Sequence, residues 1–174
     1  MIPALVPASW RARTLAGLID TGIVAAYIVV LGMLIAIVFP LMTGPTPLWA
    51  AIGLAWLFIE VPIGVWWWRQ ESAMGTTIGK RLEGLRVVHV GTPRRPSALR
   101  AAVRVTAKLV PWAVIHALIL VAADPGAAGS WWWSVPLLAL VAALTVVGIL
   151  AGYARIDRRA AYDLLAGTQV VEVG

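Results

Sequence analysis

The sequence predicts an all-α membrane protein: a four-helix transmembrane bundle with both termini cytoplasmic and a small cytoplasmic two-stranded β element. Three observations carry this expectation. Of the 174 residues, 61% are apolar and 13% are charged, against roughly 45–50% and about 25% in a soluble domain. A chain of this length folded in water keeps a large share of its surface wet and has no place to bury such an excess. Four apolar stretches are each long enough to cross a hydrocarbon core of ~30 Å, which takes about 20 helical residues. The basic residues fall only in segments that one topology gathers on one side of a membrane.

The first span runs over 14–39, with Asp20 as its one charge. Its apolar run exceeds the 7–15 residues of a signal-peptide h-region, and no small-residue cleavage site follows, so it reads as a retained helix. Pro40, Gly44, Pro45 and Pro47 then mark a turn. The second span covers 48–68 and contains Glu60. A polar segment over 69–104 follows. It opens with a turn and short helix through Gly79 and Lys80, and continues as a β-branched run from Leu85 to Val90 that reads as a strand. The third span, 105–123, carries Lys108 near its start and His116 near its middle. Pro125, Gly126 and Gly129 make a second turn before the uncharged fourth span at 131–154. In the tail, 155–174, Gly167 precedes a second strand-like run, Thr168–Val173. Two lone strands on one side of a membrane would leave open edges, so they are expected to pair with each other.

All 14 Lys and Arg lie at Arg11 and Arg13, in the central segment Arg69–Lys108, or at Arg155, Arg158 and Arg159. The turns at 40–47 and 124–130 have none. Four spans with both ends inside put every basic residue at the cytoplasmic face. The high isoelectric point thus reflects orientation in a plasma membrane, and no nucleic-acid partner is expected. Many of the 10 Trp mark the same boundaries: Trp10, Trp49, Trp66–Trp68 and Trp131–Trp133 stand at span ends, where indole rings favour the headgroup region.

A few ionisable groups are left inside the membrane. Asp20 lies ~9 Å and Glu60 ~12 Å from the inner ends of their spans at 1.5 Å per residue. In antiparallel helices they reach similar depth. Carboxylates there are costly unless paired or hydrated, and they often mark ion paths. Asp20, Glu60 and His116 are therefore the candidate ion or proton site. Arg13 shares a face with Asp20 about two helical turns on, and Arg104 and Lys108 enter from the same side. Two readings stay open: an exchanging carboxylate site, or a structural charge network that locks the helices together. Arg100, Arg104 and Lys108 also line one side of the third helix, as a stripe for anionic inner-leaflet lipid or as side chains reaching toward the phosphates. Gly148 and Gly152, four apart, suit close helix packing or a homo-oligomer. The lipid bilayer is the expected partner, with a larger membrane complex as the other assembly considered.

An enzyme is not expected. The chain has no Cys and two His without metal-ligand spacing, so neither a metal site nor a cofactor site is read. Gly75-Thr-Thr-Ile-Gly79-Lys80 lacks the strand and spacing of a P-loop.

Three stretches in order resemble the RDD family of small bacterial membrane proteins. They are Arg13-Thr-Leu-Ala-Gly-Leu-Ile-Asp20, then Thr77-Ile-Gly79-Lys80 with the following strand-like block to Val88, then Asp157 to Val171 with Asp163 and the Ala-Gly167-Thr168 ending. The resemblance implies that Arg13, Asp20 and Asp163 are the namesake arginine and aspartates. Family members often carry His before the last aspartate, where this chain has Tyr162. Some members have been associated with sodium/proton antiport. The resemblance therefore implies a membrane protein that exchanges a cation and protons through intramembrane carboxylates. A non-transporting assembly, accessory or scaffolding subunit is the alternative.

Overall fold

A computed structural model describes residues 6–38, 47–124 and 131–173. It contains four helices long and apolar enough to cross a membrane. The first, α1, is Trp10–Val38. The second is one continuous rod: α2 (Leu48–Ala55), a single π-helical turn (Trp56–Glu60) and α3 (Val61–Met74). The third and fourth are α5 (Ala98–Ala123) and α6 (Trp131–Ala154). In hydrocarbon every backbone donor needs an internal partner, so an apolar stretch resolves as helix almost regardless of propensity. Outward-facing Val29, Leu34, Leu57, Leu144 and Val147 are more than half exposed, as befits side chains that meet lipid.

The helices reach past the apolar stretches at the basic end. α1 begins at Trp10, not 14, with Ser9 accepting from the Ala12 amide at 3.3 Å. The second rod runs on to Met74, and α5 begins at Ala98. Charge takes a residue out of hydrocarbon without ending its helix. The stops here are backbone devices: Gly75 at φ 70° closes α3, and the Ser97 side chain accepts from the Arg100 amide to start α5. The turns expected at 40–46 and 125–129 lie outside the described residues. Pro47 precedes α2 in extended conformation.

Between α3 and α5 stand α4 (Ile78–Leu82) and β1 (Leu85–His89). After α6 come α7 (Ala161–Ala166) and β2 (Thr168–Glu172). β1 and β2 pair antiparallel, with Val87 opposite Val170 and Leu85 opposite Glu172. This is the expected two-stranded element. A third segment, not expected, joins it: the Ala8 amide donates to the Val170 carbonyl at 3.0 Å, and Glu172 donates to Val6 at 3.1 Å. On the other side the Val87 amide reaches the Gly75 carbonyl at 2.6 Å. Neither strand edge is left open along its length, which removes the liability of an unpaired ribbon. The N- and C-terminal segments consequently lie at the same end of the bundle.

Beneath the sheet, Leu85, Val87 and Val170 pack on Ala8 and on Ala16 of α1. A second core, Ile63, Trp67 and Val105, joins α3 to α5, with Val24 of α1 against it. α5 also packs along α6, whereas α1 is held chiefly through α4. Gly79 makes that junction. A Cβ there would run into the Ala16 carbonyl of α1. The two glycines of α6 do different work. A Cβ on Gly152 would meet the Ala160 backbone at 2.6 Å, so Gly152 lets the tail fold back, whereas Gly148 has open space beside it.

Candidate functional site

The charged residues sort into two groups at different places. The first is a continuous buried network at the sheet-bearing end. Asp163 of α7 is its hub and is fully buried. Its Oδ2 accepts from Arg13 Nη2 at 2.6 Å and from the Ala160 amide at 3.2 Å. Its Oδ1 accepts from Arg104 Nε at 2.8 Å and from Thr168 Oγ1 at 3.4 Å. Arg104 also donates to Glu71 Oε1, which takes Lys80 Nζ at 2.9 Å. Lys80 Nζ reaches Thr77 Oγ1 at 3.2 Å. Thr77 Oγ1 donates to Asp20 Oδ2 at 2.5 Å, and the Gly79 amide donates to Asp20 Oδ1 at 2.9 Å. One chain of contacts thus links α1, α3, α4, α5 and α7.

The element ends set the depth of each placement. Arg13 lies one helical turn below the start of α1 and Arg104 two turns into α5, so both point at the layer beneath. Asp163 sits in the first turn of α7, where its carboxylate accepts a free amide of the helix start. Burial pushes the Asp163 carboxyl up, but the Arg104 and Arg13 guanidiniums outweigh it and hold it below the usual carboxylate range. Further arginines fasten the tail. Arg159 donates to the Thr168 carbonyl at 3.0 Å and Arg100 to the Ala166 carbonyl at 3.2 Å. A Cβ on Gly167, whose φ is 63°, would collide with that Arg100 guanidinium.

The second group lies in the membrane. His116 Nδ1 of α5 is hydrogen-bonded to Glu60 Oε1. Glu60 is 8% exposed, and its Oε2 has no hydrogen-bond partner among the described residues. It is the last residue of the π-helical turn. Such turns shift the side-chain register and are frequent at functional sites. Glu60 borders a cavity of about 340 Å³ between the second rod and α5, walled by Val61, Gly64, Val105 and Leu109.

Asp20 and Glu60 are not brought together. Asp20 is held by Thr77 and Gly79 and lines a different cavity from the one Glu60 borders. Arg13 and Asp20 do line the same cavity along α1, but Arg13 pairs with Asp163 and not with Asp20. The stripe divides as well. Arg104 is wholly engaged by Glu71 and Asp163, while Lys108 lies over the Trp67 ring, 3.8 Å from its centroid. Glu71, at the centre of the network, was not singled out from the sequence. It stands in a polar run at a span end and looks like a solvated surface residue. The matched basic partners, Arg104 and Lys80, were the available signal. Tyr162, directly before Asp163, lies with its ring 5.1 Å from the Arg104 guanidinium carbon. An aromatic face there supports the buried cation through a cation–π contact.

The larger cavity, about 580 Å³, lies between α1 and the α5–α6 pair, with Arg13, Asp20, Lys80, Arg104 and Lys108 at one end. Trp112, Leu144, Gly148 and Ile149 form its apolar wall. Among the described residues there is no group of His, Cys, Asp and Glu spaced to hold a metal ion.

A comparison with family models finds the RDD family over residues 7–167, which takes in α1 through α7 and stops where β2 begins. No curated protein and no solved structure matches the chain. The match takes in Arg13, Asp20 and Asp163 and spans nearly the whole chain. The chain belongs to the RDD family of membrane proteins.

Proposed function

We propose that this protein is a small transporter of the plasma membrane that exchanges a cation for protons, with Glu60 as the shared ligand and His116 as its proton partner. One observation carries the reading. Glu60 is a buried, membrane-depth carboxylate with one oxygen on an imidazole and the other without a partner. A carboxylate left half-satisfied in hydrocarbon is costly, and a proton or a small cation relieves that cost. Competition of the two for one carboxylate is the minimum an exchanger needs. His116 takes or returns the proton as Glu60 changes occupant. Asp20 does not serve as the ligand in this scheme, since both its oxygens are already used.

The gathering of all the basic residues at the sheet-bearing end supports a cytoplasmic location for that end, by the positive-inside rule. Four helices make a thin bundle for alternating access, so the transporter is expected to act as an oligomer. No reaction on a substrate is assigned to it. The test is a vesicle containing the purified protein and an internal pH dye. A sodium or potassium gradient should drive proton movement, and Glu60→Gln should reduce it at least ten-fold.

A second reading has its own support. The network from Arg13 to Asp20 fastens the sheet-bearing layer onto the ends of three spanning helices, which is what a non-transporting assembly or scaffolding subunit would present to a partner. That reading expects no flux of any tested cation and co-purification of a defined larger complex.

A further inference from the structure

The geometry points to a second site, independent of Glu60 and His116: the cavity between α1 and the α5–α6 pair binds one anionic lipid of the surrounding leaflet, its headgroup on Lys108. The charges argue for an anion. Arg13, Lys80, Arg104 and Lys108 stand in and around the network against Asp20, Glu71 and Asp163. Arg13, Arg104 and Lys80 each have a carboxylate partner. Lys108 has no ion pair among the described residues and lies over the face of Trp67. One positive charge is therefore left over just inside the start of its span, within reach of the headgroup layer.

The walls argue for a lipid. Lys108 lies ten residues into α5, ~15 Å from its start at 1.5 Å per residue. From there the cavity continues along Pro111, Trp112, Leu144 and Ile149, all apolar. α1 is held chiefly through α4 and the sheet, whereas α5 and α6 pack along each other. The gap between α1 and α6 thus faces the bilayer, and an acyl chain can lie in it while its headgroup reaches Lys108. The volume, about 580 Å³, is within the roughly 300–1,000 Å³ of ligand pockets. A soluble anion would satisfy the charge but would leave the apolar half empty.

The full chain in detergent micelles is titrated with phosphatidylglycerol, with phosphatidylcholine and with inorganic phosphate, and bound lipid is counted by native mass spectrometry beside thermal unfolding. One phosphatidylglycerol should bind and raise the unfolding temperature, and phosphatidylcholine should not. Lys108→Gln should weaken that binding about ten-fold. Arg94→Gln, which removes an exposed charge at the same end, should leave it within two-fold. Gly148→Leu fills the apolar wall, leaves every charge in place, and should weaken the lipid as much; it decides the matter if Lys108→Gln does not fold. Equal binding of the two lipids, or equal behaviour of Lys108→Gln and Arg94→Gln, overturns the site. An effect of inorganic phosphate equal to that of phosphatidylglycerol overturns the lipid as its occupant.

Discussion

At the scale of single residues the chain separates a saturated buried carboxylate, Asp163, from a half-satisfied one, Glu60. Asp163 accepts from Arg13, Arg104, the Ala160 amide and Thr168. Removing one member of such a set leaves the others buried and uncompensated, at a cost of about 3–5 kcal/mol. Asp163→Asn and Arg104→Met are therefore expected to unfold the detergent-solubilised protein at markedly lower temperature, whereas Glu60→Gln leaves the unfolding temperature nearly unchanged. The same contacts set a pH dependence. The folded-state pKa of Asp163 is depressed, so the unfolded chain binds its proton first. Its contribution to stability is complete above about pH 4, near the ordinary carboxylate value, and is lost as pH falls through the lower folded-state value. A stability series from pH 7 downward should show that loss in the parent and a weaker one in Asp163→Asn. Gly79→Ala places a methyl against the Ala16 carbonyl and is expected to cost about 1–3 kcal/mol.

The elements show which parts of this were legible beforehand. The spans announce themselves because lipid forces one answer on any apolar stretch. The strand pairing was legible because Leu85–His89 and Thr168–Glu172 are β-branched runs with no other partner on their side. The segment Val6–Ala8 was not: three residues carry no periodicity, and it forms ladder bonds only because β2 supplies an edge. The π-helical turn was equally silent, since Trp56–Glu60 differs in nothing from an α-helical sequence. The partnership of Arg13 with Asp163 has no local signal, being fixed by where the tail returns. Depth was readable for Asp20 and Glu60, but azimuth around each helix was not, and azimuth assigned them different neighbours. One consequence is testable at this scale. Removing residues 1–8 takes away the Val6 carbonyl, so the Glu172 amide, which donates to it, should lose hydrogen-exchange protection, while the β1 amides that bond β2 keep theirs.

The whole molecule is a membrane bundle with a lid of sheet and short helices riveted to one end. Its basic residues all belong to that end, and under the proposed cytoplasmic placement of that end a thiol probe on Glu83→Cys should react only after the membrane is permeabilised. The absence of native Cys makes that label specific. The buried network from Asp163 to Asp20 acts as a joint between the helix ends and the layer on them, and under the proposed exchange it is the pair Glu60 and His116 that carries the ions. The most direct measurement is cation-driven proton flux in vesicles for the parent protein, Glu60→Gln and Asp163→Asn, each normalised to folded protein. Flux in the parent, its loss in Glu60→Gln, and flux per folded molecule retained in Asp163→Asn are the expected results. Undiminished flux in well-folded Glu60→Gln would contradict the account.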